Sequence, residues 1–299
     1  MTAQLKAGII GLGILGRQYL NTLRGRAEVA VTALCDIRPA AVTELAAAAG
    51  AVAYTDPVRM VAEQQLDLVV VATPDHLHRE PTLAALEAGV PAIIQEKPLA
   101  TTLADAEAIY EAVERRRATF FVNYANRAIP LDLATRYLVQ QGLIGRPIYA
   151  ESRLDDNISV PTGLWGARSA EFAAGSSTAH FLLSHVVDWM HWTFAPAQVV
   201  EVYAICQERM LGYTPDLYDA FLVFDTGLKV RCKAEWIKFM EPIVEYYTSI
   251  SGEQGTIFYN KRPGFGVQES WRANFGESLS FAALEPHLEA LGRQGIILR

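Results

Sequence analysis

Apolar positions along the first 122 residues follow two alternating rhythms. Short, nearly unbroken apolar runs at Ala7 to Ile10, Val29 to Asp36, Leu68 to Thr73, Ala92 to Gln95 and Thr119 to Val122 predict extended segments. Leu68-Val69-Val70-Val71-Ala72 contains no polar position, the pattern of a central parallel strand covered on both faces. Between these runs, apolar residues recur at helical spacing over Arg17 to Leu23, Pro39 to Ala49, Glu80 to Ala88 and Leu103 to Arg115. Gly50 and Gly89 stand where such helices stop. Alternation of this kind predicts a doubly wound parallel sheet with right-handed crossovers.

The rhythm changes after Asn123. A helix is predicted from Leu131 to Gln141, ended by Gly142, then a strand over Pro147 to Leu154 and a second helix over Ser176 to Phe194. A β-rich tail follows at Val199 to Cys206, Ala220 to Phe224, Lys229 to Trp236, Val244 to Ser251 and Thr256 to Tyr259. Asp225-Thr226-Gly227 between two of these runs is a hairpin signal. Strands joined by short turns predict an open, largely antiparallel sheet with one face free for burial or for pairing with another subunit. At 299 residues the chain exceeds a usual single core. The expected division is an α/β Rossmann domain over residues 1–122 and an α+β domain over 123–299.

Gly11-Leu12-Gly13-Ile14-Leu15-Gly16 follows the first extended run and opens the first helical one. In that context the three glycines have distinct tasks: a tight turn, close backbone approach to a pyrophosphate, and close packing of helix on strand. The helix N-terminus adds free N–H groups and a positive dipole end. Asp36, 20 positions after Gly16, ends the next extended run. Its carboxylate can accept from ribose hydroxyls and would repel a 2′-phosphate, so NAD is favoured over NADP, a preference that Arg38 weakens.

Composition narrows the partners. Hydrophobic residues make up 51% and charged residues 20%, as in an ordinary globular protein. A net charge of −7 argues against nucleic acid or an anionic membrane surface, since phosphate neutralisation needs clustered cations. The one basic run, Arg115-Arg116-Arg117, ends a predicted helix, where it complements the dipole. Cys35, Cys206 and Cys232 show no metal-like spacing and read as reduced thiols of a cytoplasmic protein. No apolar run approaches 18 residues, so neither a membrane span nor a signal peptide is expected. A zinc site drawn from His76, His78, His180, His185 and His191 lacks both cysteines and a spacing motif, and no metal is expected.

Thr73-Pro74-Asp75-His76 and Glu96-Lys97-Pro98 each follow an apolar run, which places both at carboxyl ends of parallel strands. Ligands of open α/β sheets bind outside those ends. A partly desolvated Lys97 there can hold a substrate hydroxyl by a charge-assisted hydrogen bond and help remove its proton; the bland alternative is a surface pair with Glu96. His76 and His78 either contact the nicotinamide or cap the loop. Expected cofactor contacts are therefore Gly11, Gly13, Ile14, Leu15 and Gly16, then Asp36, Ile37 and Arg38, then Thr73, Pro74, His76 and His78, with Glu96 and Lys97. Trp165, between Gly163 and Gly175, can wall a sugar pocket, whereas Trp189 and Trp192 read as core. Asn126 and Arg127 are candidates for the substrate side.

These motifs, with Asn126-Arg127 followed by a helix and Gly142-Leu143-Ile144-Gly145, and with His185-x-x-Asp188, occur in one characteristic order. The chain thereby resembles the glucose–fructose oxidoreductase, inositol dehydrogenase and MocA-like family over nearly its whole length, Glu-Lys-Pro after a Rossmann start being the most specific part. The resemblance implies an NAD(P)-dependent oxidoreductase of sugars, cyclitols or related polyhydroxy compounds. It assigns the contacts to the reacting hydroxyl to Lys97 and His185.

Two departures stand out. Many members carry an aspartate four residues before the histidine, where this chain has Phe181, and they continue past the equivalent of Glu285-Pro286-His287 through further helices, where this chain stops at Arg299. A missing helix would expose apolar surface. Of the substitutes for the aspartate, Asp188 at i+3 shares the face of His185, while His180 at i−5 is turned about 140° away by the 3.6-residue period. Asp188 is thus the better orienter, and His180 a candidate substrate contact. Two further classes remain open: an NAD-dependent glycoside hydrolase or lyase working by transient oxidation, and a non-catalytic NAD(H)-binding protein. An open sheet face also predicts a homodimer or homotetramer.

Overall fold

The computed structural model describes residues 4–241, 243–261, 270–277 and 279–298. The chain forms two compact units, Met1–Asn123 and Tyr124–Arg299.

The first unit alternates strand and helix: β1 (Leu5–Ile10), α1 (Ile14–Arg24), β2 (Val29–Cys35), α2 (Pro39–Ala49), β3 (Val52–Tyr54), α3 (Pro57–Glu63), β4 (Leu68–Val71), α4 (Arg79–Glu87), β5 (Ala92–Glu96), α5 (Leu103–Arg116) and β6 (Thr119–Asn123). All six strands are parallel, in the order β3-β2-β1-β4-β5-β6. The unbroken apolar run has a direct cause. Val70 packs with Ile9, Leu12 and Leu34 on one face of the sheet, while Val69 and Val71 pack with Ile10, Cys35 and Met60 on the other. The sequence pattern did not predict β3 and α3. Three and seven residues are too short to show a period, although Asp56 before Pro57 is a helix-start signal, and its carboxylate accepts from the Val58 amide at 2.9 Å.

The second unit contains α6 (Pro130–Gln140), β7 (Pro147–Asn157), α7 (Ser159–Gly163), α8 (Ser169–Gly175), α9 (Ser184–Phe194), β8 (Val199–Gln207), β9 (Leu217–Phe224), β10 (Lys229–Lys238), β11 (Val244–Gly252), β12 (Gly255–Lys261), β13 (Ser270–Phe275) and α10 (Phe281–Gly292). Its sheet runs β13-β12-β11-β7-β10-β9-β8, antiparallel except where β7 meets β10. Alternate residues of these strands, among them Leu154, Val230, Cys232, Trp236, Tyr246 and Ile250, form one core with Leu138 of α6 and Val186, Trp189 and Phe194 of α9. The other face is mixed: Arg231 pairs with Asp219 and Lys233 with Glu235, with Phe221 and Tyr203 exposed on it. The stretch between Gly163 and Gly175 that carries Trp165, for which no element was predicted, holds a short 3-10 turn at Gly166–Arg168 and α8, and one expectation is corrected: the helix predicted over Ser176 to Phe194 is interrupted by a π-helical turn at Ala179–Leu183. Among the described residues no helix is long and apolar enough to cross a membrane.

One ion pair lies deep in this unit. Lys261 Nζ sits 2.5 Å from Asp132 Oδ2, with the two side chains 3% and 1% exposed, and 4.3 Å from the Tyr246 ring centroid. Removing one charge from such a pair leaves the other in low dielectric without that partner. Lys261→Met is therefore expected to lower unfolding free energy by about 3–5 kcal/mol in urea denaturation, and the double variant with Asp132→Leu to recover much of the loss.

Candidate functional site

In the first unit the carboxyl ends of β1 and β5 lie along one edge of the parallel sheet. Gly11 has φ +89°, and a Cβ on it would stand 2.5 Å from the Ala72 carbonyl oxygen. A Cβ on Gly16 would stand 1.8 Å from the Gly11 carbonyl oxygen, so α1 can start this close to β1 only without a side chain there. Around Gly13 nothing lies within 4 Å of where a Cβ would be. Gly13, Ile14 and Leu15 are exposed, and no side chain caps the first turn of α1. That cradle of open amides fits a dinucleotide pyrophosphate.

Asp36, buried just beyond β2, fixes the loop: its Oδ2 accepts from the Leu12 amide at 2.8 Å. Arg38 clasps the same carboxylate, Nε to Oδ1 at 2.7 Å and Nη2 to Oδ2 at 2.8 Å, and also reaches the Leu12 carbonyl at 3.2 Å. Burial pushes the Asp36 carboxyl up, but the Arg38 and Leu12 hydrogen bonds outweigh it and hold the group below the usual carboxylate range. The charge counted on to repel a 2′-phosphate is thus already paired with a guanidinium. Ile37 is exposed beside it.

Lys97, 7% exposed, sits immediately after β5 on a turn held from three sides. Glu96 accepts from Tyr19 Oη at 2.7 Å and from Asn123 Nδ2 at 2.9 Å, tying β5 to α1 and β6. Burial and the Glu96 charge push the Tyr19 phenol far above its ordinary range, which keeps it a donor to Glu96. Gln95 Nε2 donates to the Leu99 carbonyl at 2.8 Å, while its Oε1 accepts from Thr82 at 2.7 Å. His78, 1% exposed, lies with Nδ1 2.8 Å from the Pro98 carbonyl and Nε2 3.0 Å from the Thr73 carbonyl. It clamps the two rim loops together, and burial holds its imidazole below the usual range. Of the residues expected to touch cofactor, His78 and Glu96 thus shape the rim from within, while Thr73 and Pro74 are half-buried and His76 is exposed on the 3-10 turn Asp75–Leu77.

In the second unit the 3-10 turn Ala125–Ala128 carries Asn126 and Arg127. Arg127 grips Asp188 with two bonds, Nε to Oδ2 at 3.0 Å and Nη2 to Oδ1 at 2.5 Å, and lies about 6 Å over the rings of Tyr124 and Trp192. Burial pushes the Asp188 carboxyl up and Arg127 opposes it. Asp188, expected to orient His185, therefore commits both oxygens to Arg127. His185 meets Tyr124 edge to face at 5.9 Å, and its carbonyl accepts from Tyr246 Oη at 3.3 Å. Trp165 stacks on Phe172 at 3.9 Å and meets Phe181 edge-on at 5.6 Å; Phe181 in turn packs on Trp236. Where an acid was sought, the chain has built an aromatic cluster. His180 bonds through Nδ1 to Ser177 Oγ at 2.9 Å. The supporting groups Tyr19, Gln95, Asn123, Tyr124 and Ser177 were not anticipated, because none belongs to a short motif.

Residues 5–124 match the family profile described as "Oxidoreductase family, NAD-binding Rossmann fold", and residues 133–258 match the GFO/IDH/MocA C-terminal domain. Among curated relatives, inositol 2-dehydrogenase 1 of Saccharopolyspora erythraea is 34% identical over 48% of this chain and 44% of its own length. Inositol 2-dehydrogenase 2 of the same organism is 30% identical over 74% of this chain and 63% of its own length. The aligned stretch thus spans between about two fifths and two thirds of these relatives. Among solved structures, the WlbA dehydrogenase from Bordetella pertussis in complex with NADH and UDP-GlcNAcA superposes with a TM-score of 0.79 at 21% identity, covering 99% of this chain and 85% of that one; at that identity the likeness is one of fold.

The Gly16 contact makes the loop directly testable. Gly16→Ala is expected to displace the first turn of α1 and weaken NADH binding at least tenfold, read by fluorescence titration, while the fold of the second unit persists in thermal unfolding.

Proposed function

We propose that this chain, which belongs to the GFO/IDH/MocA oxidoreductase family, oxidises a hydroxyl carbon of a sugar, cyclitol or related polyol with NAD. The observation that carries the reading is the buried Lys97, held on a braced turn at the same sheet edge as the glycine loop. The names of the relatives, inositol 2-dehydrogenases, support the substrate class. Bound at the loop of Gly11, Gly13 and Gly16, NAD supplies acceptance of a hydride. Asp36 and Arg38 hold the adenosine ribose, and because Arg38 neutralises the carboxylate, NADP is tolerated at lower affinity.

Lys97 holds the reacting hydroxyl through a charge-assisted hydrogen bond and lowers the cost of losing its proton. The family resemblance assigns a further contact to that hydroxyl to His185, and Asn126, Arg127 and Trp165 are candidates for the substrate side. Asp188 acts by fixing Arg127. The free thiols of Cys35, Cys206 and Cys232 support a reducing compartment, the cytoplasm.

Lys97→Met is expected to lower kcat by about 10²–10⁴-fold with myo-inositol, levoglucosan or another polyol of a screening panel, with NADH affinity kept within a few-fold. Undiminished turnover would remove Lys97 from the reaction. Product release without net NADH would point instead to transient oxidation in a hydrolase or lyase.

The outer face of the second unit's sheet supports self-association. It presents Arg153, Arg231, Lys233 and Tyr247 around a hollow of about 450 Å³, with Phe221 and Tyr203 exposed alongside. Light scattering is expected to give a multiple of the 32.9 kDa chain mass; a monomer at micromolar concentration would exclude that pairing.

A further inference from the structure

The short segment leading into α9 holds a strained residue, a widened helical turn and an anchored imidazole. Ser177 has φ +152°, a conformation in which glycine is at ease and serine is not, and it is 4% exposed. A residue with a Cβ keeps such a backbone only where its surroundings over-determine it, and such sites concentrate where ligands bind. Here the surroundings are a hydrogen-bonded set. Ser177 Oγ accepts from the His180 backbone N–H at 3.3 Å and lies 2.9 Å from His180 Nδ1.

The proton on the His180 ring follows from its partners. The Ser176 carbonyl, 3.3 Å from Nδ1, can only accept, so Nδ1 carries the hydrogen and shares it between that carbonyl and Ser177 Oγ. Nε2, across the ring, is left as the acceptor.

The π turn at Ala179–Leu183 sets the direction of this ring. The Ser184 N–H reaches back five residues to the Ala179 carbonyl, and the His180 carbonyl is taken by Ser184 Oγ at 2.6 Å. In a turn of i to i+5 bonds, positions five apart lie much nearer one face than the roughly 140° separation of a regular α-helix. His180 and His185 are five apart, and both are half-buried.

We propose that His180, oriented by Ser177, is a second substrate-contacting imidazole whose Nε2 accepts a hydrogen bond from a hydroxyl other than the one oxidised. The proposal rests on the polyol reading above and narrows it to substrates with at least two hydroxyls close together. Ser177 is the positioning residue.

The test uses the full chain with NAD and the polyol of the panel, myo-inositol and levoglucosan included, that it oxidises fastest. His180→Asn keeps an amide N–H toward Ser176 and Ser177 but removes Nε2. It is expected to keep NADH affinity and Tm while raising KM for the polyol about three- to tenfold, the worth of one hydrogen bond, with a smaller change in kcat. Ser177→Ala is expected to raise KM less. Ser177→Gly, which accepts the backbone, is expected to match or exceed the unmodified chain in Tm and still raise KM as Ser177→Ala does. A merely structural pair would lower Tm in Ser177→Gly and leave KM unmoved. KM and kcat of His180→Asn equal to those of the unmodified chain would overturn the proposal and leave the polyol reading intact. NADH binding without oxidation of any polyol by the unmodified chain would overturn both.

Discussion

A contact too close for any side chain governs the rim of the first unit. Gly16 lies against the Gly11 carbonyl, where a Cβ would come within 1.8 Å of the oxygen, and Gly11 lies against the carbonyl of Ala72, just past the end of β4. Strand, turn and helix can therefore follow one another with no intervening residue, and the first turn of α1 keeps its amides open beside an exposed Gly13. The other groups of the loop take their positions from that turn: Asp36 accepts from the Leu12 amide, and Arg38 bridges from Asp36 back to the Leu12 carbonyl.

Lys97 depends on a second tier of bonds. Buried polar groups are costly unless satisfied, so a set of them that is fully paired stiffens its neighbourhood. Tyr19, Asn123 and Glu96 bind three elements together, and Gln95 and His78 fix the carbonyls of Leu99, Pro98 and Thr73. A lysine on such a turn keeps its direction without itself being part of a regular element. The second unit uses different means toward the same end: a two-pronged Arg127–Asp188 pair braced by aromatic rings, and a Lys261–Asp132 pair sealed beneath Tyr246.

The parallel sheet was legible in the chain because β4 serves two cores at once, Val70 facing one and Val69 and Val71 the other, which leaves no polar position in the run. The strands of the second sheet were legible for the opposite reason, since burial of only one face makes residues alternate, as in Val230-Arg231-Cys232-Lys233-Ala234. β3, α3, α7 and α8 escaped because elements of three to seven residues complete too little of a period. The π turn escaped because it widens one turn without altering composition, and the backbone of Ser177 escaped because only glycine advertises a positive φ in a sequence.

By itself the sequence determined the glycine turn, the acid after β2, the lysine after β5 and the class of each sheet, since these follow from backbone sterics and side-chain period, which act over a few residues. Only the tertiary structure decided which partner each polar group takes. Asp188 goes to an arginine 61 positions away, Glu96 to a tyrosine 77 away, and Asn123 to that same tyrosine across 104. Such pairings are chosen by which elements pack together, and packing sums many weak contacts over the whole domain, so no local spacing in the chain can announce them.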